Sequence, residues 1–219
     1  MKQAMRSVLS IFVLWASLMS WAYAVAGQTP RQVVQESVDS LIKVIVDNKD
    51  VSKKDPAKFR VLVDQTVGQY VDFETIAKLV MGKAYKIATP EQRANFVKTF
   101  RTSLMDTYAN SLASYDNQKI TLLPEKKGEV QDKNASINME IYSADGQKYP
   151  LTYTMQQGEN GEWKLVNLVL NGVNLGLIFR NQFTESMQQN SNDIDKVIAS
   201  WHASDAVNKE EAKQGKPKS

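Results

Sequence analysis

The sequence predicts an α+β fold in a single domain: a curved antiparallel β meander of about four strands, packed against helices from both ends of the chain, around either a filled core or an enclosed hydrophobic cavity. Apolar residues recur at helical spacing from 29 to 113 and again after 172, whereas between 119 and 171 the period drops to two and Asp-Gly and Asn-Gly pairs interrupt the runs. Helices, then hairpins, then helices is the segregated order of an α+β chain, not the alternation that builds a parallel sheet. The third observation is "VNLVLNGVNLGLIFRNQF", residues 166–183, nearly continuous apolar sequence in a chain of mean hydropathy −0.38. It is too short and too interrupted to span a bilayer, and reads as a strand, a break at Gly172 and the start of a helix.

The first segment predicts export. "MKQAMR" carries two cations and no acid, "SVLSIFVLWASLMSW" is an apolar run, and "AYAVAG" places small residues at cleavage positions, the order of a secretory signal peptide. Residues 1–24 are expected to be removed, by cleavage after Ala24 or Ala26. With no cysteine in the chain to carry a lipid, the mature protein is expected to be soluble. Removing Lys2 and Arg6 lowers the formal charge from +3 to +1, so the chain presents no electrostatic case for nucleic acid. The remaining length of about 195 residues suffices for one domain with its own core. An exported chain without cysteine holds that core by burial alone.

Helices come first. "TPRQVVQESVDSLIKVIVDN" opens with Thr29 as cap, Pro30 at the first helical position and Gln32 closing a capping box, and its Val34, Val38, Leu41, Ile42 and Ile45 share a face. "PAKFRVLVDQTVGQYV" repeats the pattern with Phe59, Leu62, Val63, Val67 and Tyr70. Asp72 caps "FETIAKLVMG", where Phe73, Ile76, Ala77 and Val80 share a side and Gly82 ends the helix. After "KAYKIA", a second Thr-Pro-x-Gln box at Thr89 starts a long helix whose Phe96, Phe100, Leu104, Tyr108 and Leu112 recur every fourth residue.

The strands follow: "KITLLPE", "ASINMEIYS", "KYPLTYTMQQ" and "EWKLVNLVLNG", with hairpin signals at Asp145-Gly146 and Asn160-Gly161. Tyr149, Leu151, Tyr153 and Met155 form one apolar face. In the last strand Val166, Leu168 and Leu170 fall on one side and Leu165 and Val169 on the other, which predicts a central strand covered on both faces. After Gly172, Leu175, Phe179, Phe183 and Met187 step by four, and a last helix presents Ile194, Val197, Ile198 and Trp201. The folded domain is thus placed at 29–204, and the polar stretch 205–219 is expected to be disordered.

Catalytic patterns are scarce. The one histidine, His202, has no second histidine or cysteine with which to build a zinc site of familiar spacing, and there is no Gly-x-Ser-x-Gly elbow. "GVNLG" at 172–176 lacks a phosphate-binding glycine pattern, and Asp193 and Asp195 sit at a helix start as ordinary dipole partners. The expectation is no catalytic residue, no metal and no cofactor.

Three stretches, "VDFETIAKLVMGK", "ATPEQRANFVKTFRTSLMDTYANSL" and "GVNLGLIFRNQF", come in this order behind a signal peptide and around a β meander. Together they resemble the MlaC family, also called the toluene-tolerance auxiliary family, over roughly residues 30 to 200. The resemblance implies a soluble, monomeric phospholipid carrier of the Gram-negative periplasm. Such a carrier passes lipid between an outer-membrane lipoprotein complex and an inner-membrane ABC transporter complex and so maintains outer-membrane lipid asymmetry. It also implies roles for Phe73 and its neighbours, for Tyr108, and for Arg180, Gln182 and Phe183. With the apolar stripes above, the expected lipid-binding set is Phe73, Ile76, Val80, Phe100, Leu104, Tyr108, Leu151, Tyr153, Met155, Leu168, Leu170, Val173, Phe179, Arg180 and Phe183.

Arg180 is the charged exception in its stretch. Either it pairs with a carboxylate such as Asp72 or Glu74 and locks helix to helix, the favoured expectation, or it donates to a phosphate or glycerol oxygen at the cavity mouth. Two other readings of the chain stay open at this point: a small hydrolase or isomerase with an apolar pocket, and an envelope adaptor whose core is simply filled.

Overall fold

The computed structural model describes residues 27–116, 118–143 and 145–205. The expected leader with its cleavage points, and all of the expected disordered tail beyond Asp205, lie outside the described residues.

Capping side chains set where each early helix begins. Helix α1 (Pro30–Asp47) and helix α6 (Pro90–Ala113) both start on a complete Thr-Pro-x-Gln box, in which the threonine oxygen accepts from the third-residue N–H and the glutamine oxygen accepts from the threonine N–H. Between them lie α2 (Lys49–Lys54), which the sequence reading did not anticipate, α3 (Pro56–Tyr70) capped by Asp55, α4 (Phe73–Met81) capped by Asp72, and the single turn α5 (Ala84–Ile87). Helix α4 ends at Gly82, whose φ of 55° and ψ of −117° suit a residue without Cβ.

Among the described residues the sheet has six strands in the order β1-β3-β4-β5-β6: β1 (Lys119–Leu122), β3 (Asn134–Tyr142), β4 (Lys148–Gln157), β5 (Trp163–Leu170) and β6 (Val173–Asn174), with β2 (Val130–Gln131) paired to the start of β3. All neighbours are antiparallel. Gly146 and Gly161 take the positive φ of the two hairpin turns. On the inner face Ala135, Ile137 and Met139 stand opposite Met155, Tyr153 and Leu151; the outer face carries Ser136, Asn138, Thr152 and Thr154, with Thr152 donating to the Asn138 side chain. Alternation therefore covers one face and leaves the other wet.

Three details of the expected sheet are corrected. First, β5 is not central. It pairs fully only with β4 and meets β6 over two residues, because the chain after it turns back at once. Second, its faces do not follow simple alternation. The register slips between Thr154 and Met155, so Val166 has no partner in β4, and Leu165 joins Leu168 on the inner side. One extra residue in a strand reverses the facing of everything beyond it. Third, Gly172 does not lead from strand into helix. Asn171 (φ 48°) and Gly172 (φ 80°) form a two-residue hairpin that makes β6, and Asn174 then caps α7 (Leu175–Gln189).

Helix α7 and α8 (Ile194–Ala199) pack with α4 and α6 into an aromatic core. Phe96 meets Phe183 and Trp201 edge-on at 4.9 and 5.3 Å between ring centres, and Phe100 meets Phe179 at 5.4 Å. These rings are buried and fill their space. A second core lies between α1 and the inner sheet face, and a third, around Ile45, Phe59 and Val63, joins α1, α3 and α6.

Candidate functional site

Where the second and third cores meet, the packing does not close. An apolar chamber of about 90 Å³ is lined by Ser37 and Leu41 of α1, by Thr66, Val67 and Tyr70 of α3, by Val71, and by Tyr153, Met155 and Leu165 of the sheet. Three of its four side-chain hydroxyls are turned away. The Ser37 hydroxyl donates to Val34 O and the Thr66 hydroxyl to Leu62 O, each within its own helix. The Tyr70 hydroxyl lies 3.0 Å from Ser40 Oγ and donates to Glu36 at 3.3 Å, towards solvent. What faces the chamber is mostly hydrocarbon.

The closure is shallow. Leu41, Val67, Tyr70, Val71, Tyr153 and Leu165 are all only half-buried, in contrast to the sealed aromatic core. Tyr153 shows what that means. It lies deep enough that burial pushes its phenol up to about 12, yet part of its surface remains accessible. A side chain with both properties stands on the wall of an internal space. Ionising Tyr153 is thus harder in the folded protein than in the unfolded chain. The resulting stability is fully present below pH about 10 and is lost as pH rises towards about 12, amounting to about 3 kcal/mol. Ultraviolet titration is expected to find one tyrosine that ionises only above the others or together with alkaline unfolding, and Tyr153→Phe should remove that phase.

One backbone bridge separates the chamber from an outer cleft. Val71 pairs with Leu165, and Asp72 N–H donates to Leu165 O at 3.0 Å. Beyond it lies an open cleft of about 440 Å³ that Val71 also lines, with Phe73, Arg101 and Lys164 on its walls. Arg101 is committed there: it grips Asp64 through Nε and Nη2 at 2.6 and 3.0 Å and lies 5.1 Å over the Phe73 ring.

The structure divides the residues singled out from the sequence. Tyr153 and Met155 line the chamber, and Leu151 and Leu168 share its sheet face. Phe73, Val80, Phe100, Phe179 and Phe183 belong to the aromatic core, against which Ile76 and Leu104 are packed. Leu170 is exposed at the end of β5 and Val173 half-buried in β6, while Tyr108 is half-buried on α6. Gln182 donates to His202 O at 2.8 Å, tying α7 to the chain beyond α8. Sequence reasoning missed Ser37, Leu41, Thr66, Val67, Tyr70, Val71 and Leu165 as wall residues. Leu41, Val67 and Tyr70 were visible as helix stripes, but no signal separated a stripe that meets a gap from one that meets a filled core. Leu165 was hidden by the bulge.

The favoured pairing of Arg180 is overturned. Asp72 uses its carboxylate to cap α4, accepting from Thr75 N at 2.8 Å, and Arg180 makes no ion pair with any described residue. It is exposed, with its guanidinium lying along Gly82 at the carboxyl end of α4, where the helix dipole favours a cation. Arg180→Ala is therefore expected to cost only about 0.5 kcal/mol in a urea melt, not the several that a buried partner would.

Among the described residues no group of His, Asp and Glu is placed to hold a metal ion, and no helix is long and apolar enough to cross a membrane. A hydrocarbon-walled space between one sheet face and two helices, closed by half-buried side chains, is the site of a protein that binds apolar ligands. Residues 35–203 match the family model for the MlaC protein, and the chain belongs to the MlaC family. It is 40% identical over 178 residues to toluene tolerance protein ttg2D of Pseudomonas putida, spanning 81% of each chain. It is 35% identical over 167 residues to the intermembrane phospholipid transport system binding protein MlaC of Haemophilus influenzae, spanning 75% of this chain and 77% of that one. Among solved structures it resembles the phospholipid-binding protein from Ralstonia solanacearum in complex with a phospholipid. The TM-score is 0.70 at 25% identity, covering 78% of this chain and 98% of the other.

Proposed function

We propose that the protein is a periplasmic phospholipid carrier, not an enzyme, that shuttles lipid as a soluble monomer between outer- and inner-membrane complexes and so maintains outer-membrane lipid asymmetry. The domain at 29–204 holds the acyl tails. The observation that carries this reading is the chamber, walled mostly by hydrocarbon, with the Ser37 and Thr66 hydroxyls bonded within their own helices. Two acyl chains with roughly 30 methylenes cost on the order of 20 kcal/mol to expose to water, at about 0.8 kcal/mol each. A carrier must hide nearly all of that surface and needs little chemistry to do it.

The chamber must widen to take a lipid. Its 90 Å³ equals roughly three water molecules at about 30 Å³ each, far short of two acyl chains. The half-buried side chains on α1, α3 and the sheet are the surfaces that part, while the sealed aromatic core keeps α4, α6, α7 and α8 together. Within the expected lipid-binding set, Tyr153 and Met155 then touch the tails directly, on the sheet face that Leu151 and Leu168 share. The aromatic-core residues support the wall from behind.

The relatives' names, a phospholipid transport binding protein and a phospholipid-binding protein, fit this reading, and transport-system complexes in the two membranes are its partners. The test is extraction. Protein purified from a Gram-negative periplasm should yield diacyl phospholipid by mass spectrometry, well above a control periplasmic protein handled in parallel. Extracts no richer than the control would sink the carrier reading and favour the filled-core adaptor.

A further inference from the structure

Among the described residues ion pairs tie some cations to acids, from Arg31 on Glu129 to Lys196 on Asp193. One end of the molecule gathers cations that have none. From Thr75 to Pro90 the sequence holds Lys78, Lys83 and Lys86 and no acid. Neither these three nor Arg93 and Arg180 form an ion pair with another described residue. The fold gathers them. The Lys78 ammonium and the Arg93 guanidinium lie 5.8 and 4.3 Å from the centre of the Tyr85 ring. Arg180 reaches across from α7 to Gly82, within 3.3 Å of where a Cβ would stand. Set among these cations are exposed aliphatics: Leu79 (49%), next to Lys78; Ile87 (73%), next to Lys86; and Leu177 (55%), one turn before Arg180.

We propose that this face docks the protein on the surface of an anionic phospholipid bilayer. Cations gathered without ion pairs repel one another, and a field of phosphates relieves that repulsion. Lysines near such a surface each strengthen binding, and aliphatic side chains between them sink to the boundary of headgroups and acyl chains. The composition separates this from a protein partner. Three of the five cations are lysine, which protein interfaces disfavour, and the aliphatics stand apart between cations instead of forming one dry patch. The surface is distinct from the chamber, which lies between α1, α3 and the sheet.

The test is co-sedimentation of the purified protein with vesicles of phosphatidylethanolamine and phosphatidylglycerol in equal parts, beside vesicles of phosphatidylcholine alone. The protein is expected to bind the anionic vesicles at low salt, release them at high salt, and ignore phosphatidylcholine. Each lysine contributes roughly fivefold, so the combined Lys78→Gln, Lys83→Gln and Lys86→Gln variant should bind on the order of a hundredfold more weakly. Ile87→Ser should weaken binding several-fold with the charges intact. Both variants change exposed side chains, so melting temperature and extracted lipid should match the unsubstituted protein; the lipid measurement reads the carrier function separately. No binding by the unsubstituted protein, equal binding to both vesicle types, or a lysine variant that binds undiminished would each overturn the proposal. Variants that fail to pass lipid to detergent-solubilised membrane complexes, when no form of the protein binds vesicles, would overturn it too and assign the face to an acidic protein.

Discussion

Leu165→Trp is expected to abolish lipid binding in a protein that remains folded. Leu165 is half-buried on the chamber wall, on the inner face of β5 one residue before the bulge. A larger side chain there grows into the open space and blocks the path of the tails, while gaining contacts that the gap now forfeits. Extracted phospholipid should fall about tenfold or more, as the free energy lost with the tails' burial site far exceeds the 1.4 kcal/mol that corresponds to tenfold, and the melting temperature should stay level or rise. The matched control is Leu151→Trp. Leu151 shares the sheet face but is buried in filled core, so there the same substitution overpacks and costs about 1–3 kcal/mol. Leu165→Trp with undiminished lipid would show that the tails go elsewhere.

Arg31→Ala is expected to have the largest effect on stability of any substitution at a charged residue here. Arg31 donates to both oxygens of Glu129, at 2.8 and 2.9 Å, and to Leu123 O at 2.6 Å. It thereby ties α1 to the loop between β1 and β2. The Glu129 side chain is 1% exposed and Arg31 24%. The two halves of the pair therefore differ. Without Glu129 the arginine can turn to water, whereas without Arg31 the carboxylate stays buried with one remaining long bond from Lys126 N–H at 3.4 Å. Removing one partner of a buried pair costs about 3–5 kcal/mol, a large share of the 5–15 kcal/mol typical of a whole domain. Urea melts should rank Arg31→Ala below Glu129→Ala, and a double Arg31→Met, Glu129→Leu variant should recover much of the loss. A cost under about 1 kcal/mol for Arg31→Ala would mean that Glu129 reaches water, as exposed pairs do.

The helices that were legible carry local signals. Thr29, Asp72 and Thr89 each satisfy N–H groups within a single turn, so a short window of sequence contains both partners of the interaction. The hairpins at Gly146 and Gly161 were legible for the same reason. The mistakes about β5 have the opposite cause. A bulge and a two-residue β6 depend on how one strand registers against another, and alternation read along one chain segment contains no partner.

The candidate site was half legible. Sequence by itself determined that the chain is rich in apolar stripes and poor in catalytic patterns, that its sheet has one greasy face, and, through three ordered stretches, which family it resembles. Of the residues it singled out, Tyr153 and Met155 line the chamber. Only the tertiary structure decided which stripes meet and how closely. Phe100 and Phe183 recur at helical spacing just as Leu41 and Val67 do, but the first pair closes into a sealed aromatic core and the second borders a gap. Hydrophobicity drives both sets of residues out of water with equal force and without direction. Whether they then fill their space or leave a chamber for someone else's hydrocarbon depends on the shapes that face one another across the fold, and those come from elements far apart in the chain.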